Sequence, residues 1–207
     1  MGMPEHNATT NTPDKAKQDQ EIAGDSLDSS LVDSLDSDRD IFWEFDATHN
    51  LEVIIADDRW APHFDEALMG DVHQLVRFVS ALIEGDGFTA CLRWTDDNEM
   101  QALNAQFRDK DKATNVLSFP QDVASQDDEG LRLGDLAFGF ETMAAEADDM
   151  GISVGAHMRH LIIHGLLHLI GCDHEDDDDA SEMEGLEIAA LSVIGISNPY
   201  QGGELLS

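Results

Sequence analysis

The stretch VGAHMRHLIIHGLLHLIGCDH, residues 154–174, decides how this chain is read. Leu161, Ile162, Ile163, Leu166, Leu167, Leu169 and Ile170 make it apolar enough for a helix buried on most of its circumference. His164 and His168 stand four residues apart, so both rings leave the same face one turn from each other. Gly171 then lets the helix stop and the backbone turn sharply, which brings His174 back as a third nitrogen. Three neutral imidazoles leave one corner of a tetrahedral ion open, as in catalytic rather than structural zinc sites. The stretch therefore predicts a helix over 154–170 that ends in a metal centre, and the open corner points to a metallohydrolase.

Two other readings of these histidines compete with that one. A single histidine on an apolar face is ordinarily a packed core residue, but three at this spacing copy the ligand pattern of the HExxHxxGxxH metalloproteases. Gly165 stands where those proteases carry the glutamate base, so peptide hydrolysis by that route is disfavoured. His157 and His160 lie further up the same helix and offer a purely helical triad. Ligands at successive turns would spread over roughly 12 Å at 1.5 Å per residue, too far for one ion, which favours His174. His160 is then a neighbour of the site. Asp173 is either an orienting or basic carboxylate or an acidic turn residue, and residues 175–179 read as the solvated start of a further helix.

Working outward, LEVIIAD (51–57) alternates as a strand, and residues 64–84 have helical spacing through Leu68, Val72, Leu75, Val76, Val79, Leu82 and Ile83 up to Gly85. FTACLRW (88–94) is a second strand. Thr95 or Asp96 caps a helix carrying Met100, Leu103 and Phe107, with Glu99 placed as in a capping box. After the loop RDKDKATN (108–115) come a strand ended by Pro120 and another begun at Gly134. Helices follow from Glu141 to about Met150, over 154–170, and from about Asp177 to Ile194. This order predicts an α+β fold, a small mixed four-stranded sheet packed with about five or six helices, its metal site on a helix of the C-terminal half and the turn after it.

Residues 1–48 are rich in Asp, Ser, Thr, Asn and Gln and are expected to be a disordered acidic extension, with the domain covering 49–207. Ile41, Phe42, Trp43 and Phe45 form a short patch able to dock back on that domain. Cys91 and Cys172 form no CxxC pattern, so neither a zinc knuckle nor a disulfide framework is expected. No apolar run reaches the length of a membrane span or of a secretory signal, which leaves the cytoplasm as the expected compartment.

Read together, LNAQFRDKDKATNVLSFP, LGDLAF, HGLLHLIGCDH and the EMEGLE helix resemble the bacterial YbeY family of metal-dependent endoribonucleases, over roughly residues 50–200. The chain departs from the family at Cys172, where an aromatic residue is common, and in its long acidic extension. The resemblance implies a single-strand-specific endoribonuclease of 16S ribosomal RNA 3′-end maturation and ribosome quality control. It implies one Zn²⁺ held by His164, His168 and His174, other divalent transition metals being compatible with nitrogen ligands. The family's arginine falls on Arg108, which composition alone would leave as a solvated loop charge. Its guanidinium suits the charge that builds on non-bridging oxygens when a phosphodiester is cleaved. Implied partners are single-stranded ribosomal RNA, the ribosome or its small-subunit proteins, and a ribosome-associated GTPase, with no membrane. Two rivals remain at this point: a ribosome- or GTPase-binding module stiffened by a structural metal, and a metalloprotease with its base elsewhere.

A net charge of −33 repels nucleic acid at face value. The excess is spread over the molecule: residues 1–49 carry 3 basic and 12 acidic side chains, residues 50–207 carry 8 and 32. Such a surface suits high internal salt, where the screening length falls to about 3 Å at 1 M. Unfolding curves at low and at multimolar KCl are therefore expected to show stability rising with salt. Full stability at low salt would overturn that expectation.

Overall fold

Alternating apolar residues become a five-stranded mixed sheet in the computed structural model, which describes residues 39–45, 48–83, 87–121, 131–174 and 176–200. The strands are β1 (Arg39–Glu44), β2 (Asn50–Ile55), β3 (Thr89–Thr95), β4 (Val116–Pro120) and β5 (Arg132–Gly139), in the order β1-β2-β3-β5-β4. The three inner strands run parallel, and both edges are antiparallel. The helices are α1 (Glu66–Leu82), α2 (Asp97–Arg108), α3 (Phe140–Met150), α4 (Val154–Leu169) and α5 (Asp177–Val193), with a 3₁₀ helix at Asp58–His63.

The α+β reading and its four strands hold, and β1 is an addition. The sequence places Arg39–Glu44 in the expected disordered extension, but in the structure they pair with all six residues of β2. The domain therefore begins before residue 49. Trp43 supplies the physical reason: it is buried, with its ring 5.6 Å from that of Phe64 and 6.1 Å from that of Phe45. A strand this short, flanked by Asp and Glu, has little periodicity to announce it. The disorder expected of residues 1–38 lies outside the described residues.

Strand alternation divides the core. Leu51, Val53, Ile55, Ala90, Leu92, Trp94, Leu136 and Phe138 form one buried face with residues of α1 and α4. Trp94 stacks on Phe138 at 4.0 Å, and Trp60 meets Trp94 edge-on while its indole donates to the Thr95 carbonyl at 2.9 Å. Leu117, Phe119 and Ala137 point the other way and pack with Met100, Leu103 and Phe107 of α2. Asp96 caps α2 by accepting from the Glu99 amide at 2.9 Å. Among the described residues Glu99 makes no bond to the Asp96 amide; it pairs with the buried Arg93 at 2.7 Å and accepts from the Thr95 hydroxyl, because an interior guanidinium is costly to leave unpaired. Among the described residues no helix is long and apolar enough to cross a membrane.

Two glycines let backbones approach where a side chain has no room. At Gly165 a Cβ would lie 2.8 Å from the side chain of Leu136, so α4 lies close against β5. The residue that the metalloprotease pattern reserves for a glutamate thus faces the packed sheet. Gly134 has φ +134°, and a Cβ there would meet the Phe119 carbonyl at 2.1 Å. It sits beside the register shift at which Thr89 pairs with Arg132 and Ala90 with Gly134. Gly134→Ala should destabilise the fold by about 2–4 kcal/mol, the sum of backbone strain and overpacking. Urea denaturation checks this, and a loss below about 1 kcal/mol would show that the bulge relaxes freely.

Candidate metal centre

The helix that carries the site is fixed at both ends by its own sequence. Ser153 caps α4 by accepting from the Ala156 amide at 3.1 Å. At the other end Gly171 adopts φ +91°, and the Cys172 amide returns to the Leu167 carbonyl at 3.0 Å. This reversal carries His174 back over the last turn of α4. Its ring lies 5.6 Å from that of His164 and 5.0 Å from that of His168. One nitrogen from each of the three histidines lies within 4.8 Å of the others.

The outer nitrogens of the two helical histidines are already engaged. His164 Nδ1 lies 2.8 Å from Glu187 Oε1, and His168 Nδ1 lies 2.9 Å from the Cys172 carbonyl oxygen. Both oxygens can only accept, so each ring carries its hydrogen on Nδ1. In the neutral rings both Nε2 atoms are then bare lone pairs, yet they stand 3.2 Å apart. Two such lone pairs repel unless a cation lies between them. Tetrahedral zinc with Zn–N of about 2.0–2.1 Å holds its nitrogens about 3.3 Å apart, so the pair fits that ion. Burial, followed by the neighbouring His164, pushes the pKa of His168 down, which keeps its imidazole in the neutral form that ligation needs.

Glu187 is 1% exposed and holds this arrangement from α5. Burial alone would raise its pKa, but donors from His160, His164 and Tyr200 outweigh it and bring the carboxyl down to about 2. It is therefore an ionised carboxylate behind a histidine, the usual way in which a ligand ring is oriented and made more basic. His160 Nε2 lies 2.7 Å from the second oxygen of Glu187. That contact makes His160 a neighbour of the site, as the helical spacing predicts. His157 is buried against Glu146 at 2.8 Å, and Glu146 also accepts from Asn115 at 2.9 Å, tying the start of β4 to α3 and α4. Asn115 has a structural duty.

Arg108 ends α2, exposed, and donates through Nη2 to the Ser118 carbonyl at 2.9 Å. Ser118 belongs to β4, the edge strand on which α4 packs. Among the described residues Arg108 makes no hydrogen bond or ion pair with the histidine group. The loop after it is held by Asp109 at φ 55° and by Asn104, whose amide donates to the Lys112 carbonyl at 2.8 Å, leaving Lys110 and Lys112 exposed. Asp173 accepts from the His174 amide at 2.7 Å, so the turn uses its carboxylate. Burial raises the thiol pKa of both cysteines, Cys91 to about 12, and neither belongs to the histidine group.

Glu187 and Tyr200 were missed in the sequence. A signal for Glu187 was present: it is a charge in the apolar stripe Met183, Ala190 and Leu191, where only a paired charge is tolerated. Tyr200 had none.

The profile of the family Endoribonuclease YbeY matches residues 54–195. The chain belongs to the YbeY endoribonuclease family. Endoribonuclease YbeY of Rhodopseudomonas palustris is 39% identical over 160 residues, covering 75% of this chain and 83% of that protein. The Erythrobacter litoralis protein of the same name is 42% identical over 157 residues, 72% of this chain and 96% of the relative. That of Sphingopyxis alaskensis reaches 52% over 116 residues, 53% and 69% of the two chains. The fold is similar to the solution structure of TM1509 from Thermotoga maritima, with a TM-score of 0.50 at 23% identity over 70% of this chain and 88% of that one. The YbeY match runs from the end of β2 through α5, so it includes the three histidines and Glu187.

Glu187→Gln keeps the shape of the side chain but removes its charge. Zn²⁺ titrated into metal-stripped protein should bind about 10–100-fold more weakly in this variant, with far-UV circular dichroism unchanged. Equal affinity would exclude Glu187 from supporting the centre.

Proposed function

We propose that this chain is a cytoplasmic, zinc-dependent endoribonuclease that cleaves single-stranded ribosomal RNA in 16S 3′-end maturation and ribosome quality control. One observation carries the metal part of that reading: the Nε2 atoms of His164 and His168, whose Nδ1 atoms are engaged by acceptors outside the site, face each other at 3.2 Å beside a third histidine. Membership of an endoribonuclease family supports the substrate class.

His164, His168 and His174 would hold the ion, with Glu187 and the Cys172 carbonyl fixing the first two rings. A divalent cation there supplies Lewis acidity, lowering the pKa of water and polarising a phosphoryl oxygen. Arg108 would bind non-bridging oxygens as charge develops, and its anchoring to the Ser118 carbonyl leaves the rest of the guanidinium fork for that role. Lys110 and Lys112, exposed on the same loop, would add phosphate contacts. High salt or a guiding ribosomal partner, a small-subunit protein or a ribosome-associated GTPase, would let RNA approach so acidic a surface.

Two rivals are disfavoured on particular grounds. The metalloprotease reading lacks its base, because Gly165 packs on Leu136. A purely structural metal would have a closed set of protein ligands, and the histidine group offers three. His168→Ala should abolish Zn²⁺ retention and RNA cleavage together while the domain stays folded. A metal-free variant with full activity refutes the proposal, and unfolding on chelation would favour the structural metal. Oligonucleotides with a 2′-deoxy cleavage position separate the two chemistries: continued cutting supports attack by water, and loss of cutting supports attack by the 2′-hydroxyl.

A further inference from the structure

The chain beyond α5 is turned back toward the histidine helix by a series of local signals. Gly195 adopts φ +75°, and the Ile196 amide returns to the Leu191 carbonyl at 3.0 Å, which ends the helix. Ile196 packs against the main core. Asn198 precedes Pro199, and its side chain accepts from the Tyr200 amide at 2.8 Å, a local turn that fixes where the tyrosine points. The phenol ring then stands edge-on to His160, centroids 5.7 Å apart at 86°.

The hydroxyl of Tyr200 donates to Glu187 Oε2, the oxygen that also receives His160, while Oε1 receives His164 Nδ1. His164 on Oε1 and His160 on Oε2 set the tilt of the buried carboxylate, and the Tyr200 hydroxyl adds a second donor that tightens the hold on Oε2. Tyr200 lies outside residues 54–195, the span matched by the family profile, so the family match does not account for this contact.

We propose that Tyr200 is a positioning residue of the metal centre, acting through Glu187 to hold the His164 ring at the angle a metal ion requires. This rests on the metal reading above. The segment after α5 is then a strap across the outer side of the site, and its phenol supplies the last hydrogen bond of the chain Tyr200, Glu187, His164. The ring also covers His160, which keeps solvent from competing for the carboxylate.

The test is Zn²⁺ affinity of the full chain, measured by competition with a chromogenic chelator in four proteins: wild type, Tyr200→Phe, Glu187→Gln and the double variant. Tyr200→Phe keeps the ring and removes only the hydroxyl. It should weaken Zn²⁺ binding about 3- to 10-fold, the size expected for one hydrogen bond. Because the effect passes through Glu187, the double variant should bind no more weakly than Glu187→Gln alone. Unchanged affinity in Tyr200→Phe, or losses that simply add in the double variant, overturns the proposal. A lowered melting temperature of the metal-free protein with unchanged affinity assigns Tyr200 to docking of the tail alone and also overturns it. If wild-type protein takes up no Zn²⁺, the metal reading itself fails, an outcome distinct from both.

Discussion

Two imidazoles on one face of α4 each hold their hydrogen on the nitrogen that points away from the site, and everything chemical about this protein depends on that. Glu187 takes one of those hydrogens and the Cys172 carbonyl takes the other. Neither acceptor belongs to the face that carries the histidines: one arrives from α5, the other from the turn after Gly171. The result is a pair of inward lone pairs that is stable only around positive charge.

The fold can be understood as the means of delivering those two acceptors. α4 lies on the sheet with no side chain at Gly165, which sets its height above Leu136. α5 packs beside α4 and α1, so one residue of its buried stripe meets His164. A carboxylate in that stripe would be costly without partners, and here it has three donors. The buried polar cluster and the apolar core are therefore complementary. Three Trp and Phe rings, Trp60, Trp94 and Phe138, anchor the sheet on the same side.

Electrostatics pull the other way. The surface is strongly acidic, and four of the arginines, Arg59, Arg93, Arg132 and Arg159, are spent in ion pairs with carboxylates. Arg108 at the end of α2 and Lys110 and Lys112 in the loop after it take no part in those four pairs, and they are exposed beside Asp109 and Asp111. Any pull they exert on a polyanion depends on ionic screening.

Much of the architecture was legible because it rests on local periodicity. Four strands, five long helices, the cap at Asp96 and the reversal at Gly171 follow from alternation, helical spacing, and the conformational demands of a few residues. The histidine triad was legible because a four-residue interval on a helix fixes relative direction before any packing occurs. β1 was not, since its stability comes from pairing with β2 and burying Trp43, and neither is visible along six residues with acids at hand. Glu99 departs from the expected capping role for a related reason: Arg93, buried on the strand that leads into α2, changes which donor the carboxylate prefers. Glu187 and Tyr200 lie 23 and 36 residues from His164, and only the packing of α5 on α4 and the return of the tail bring them to it. The sequence by itself determined which residues can bind a metal. Tertiary structure decided which nitrogen of each ring faces inward, because that choice belongs to hydrogen-bond partners that no local pattern specifies.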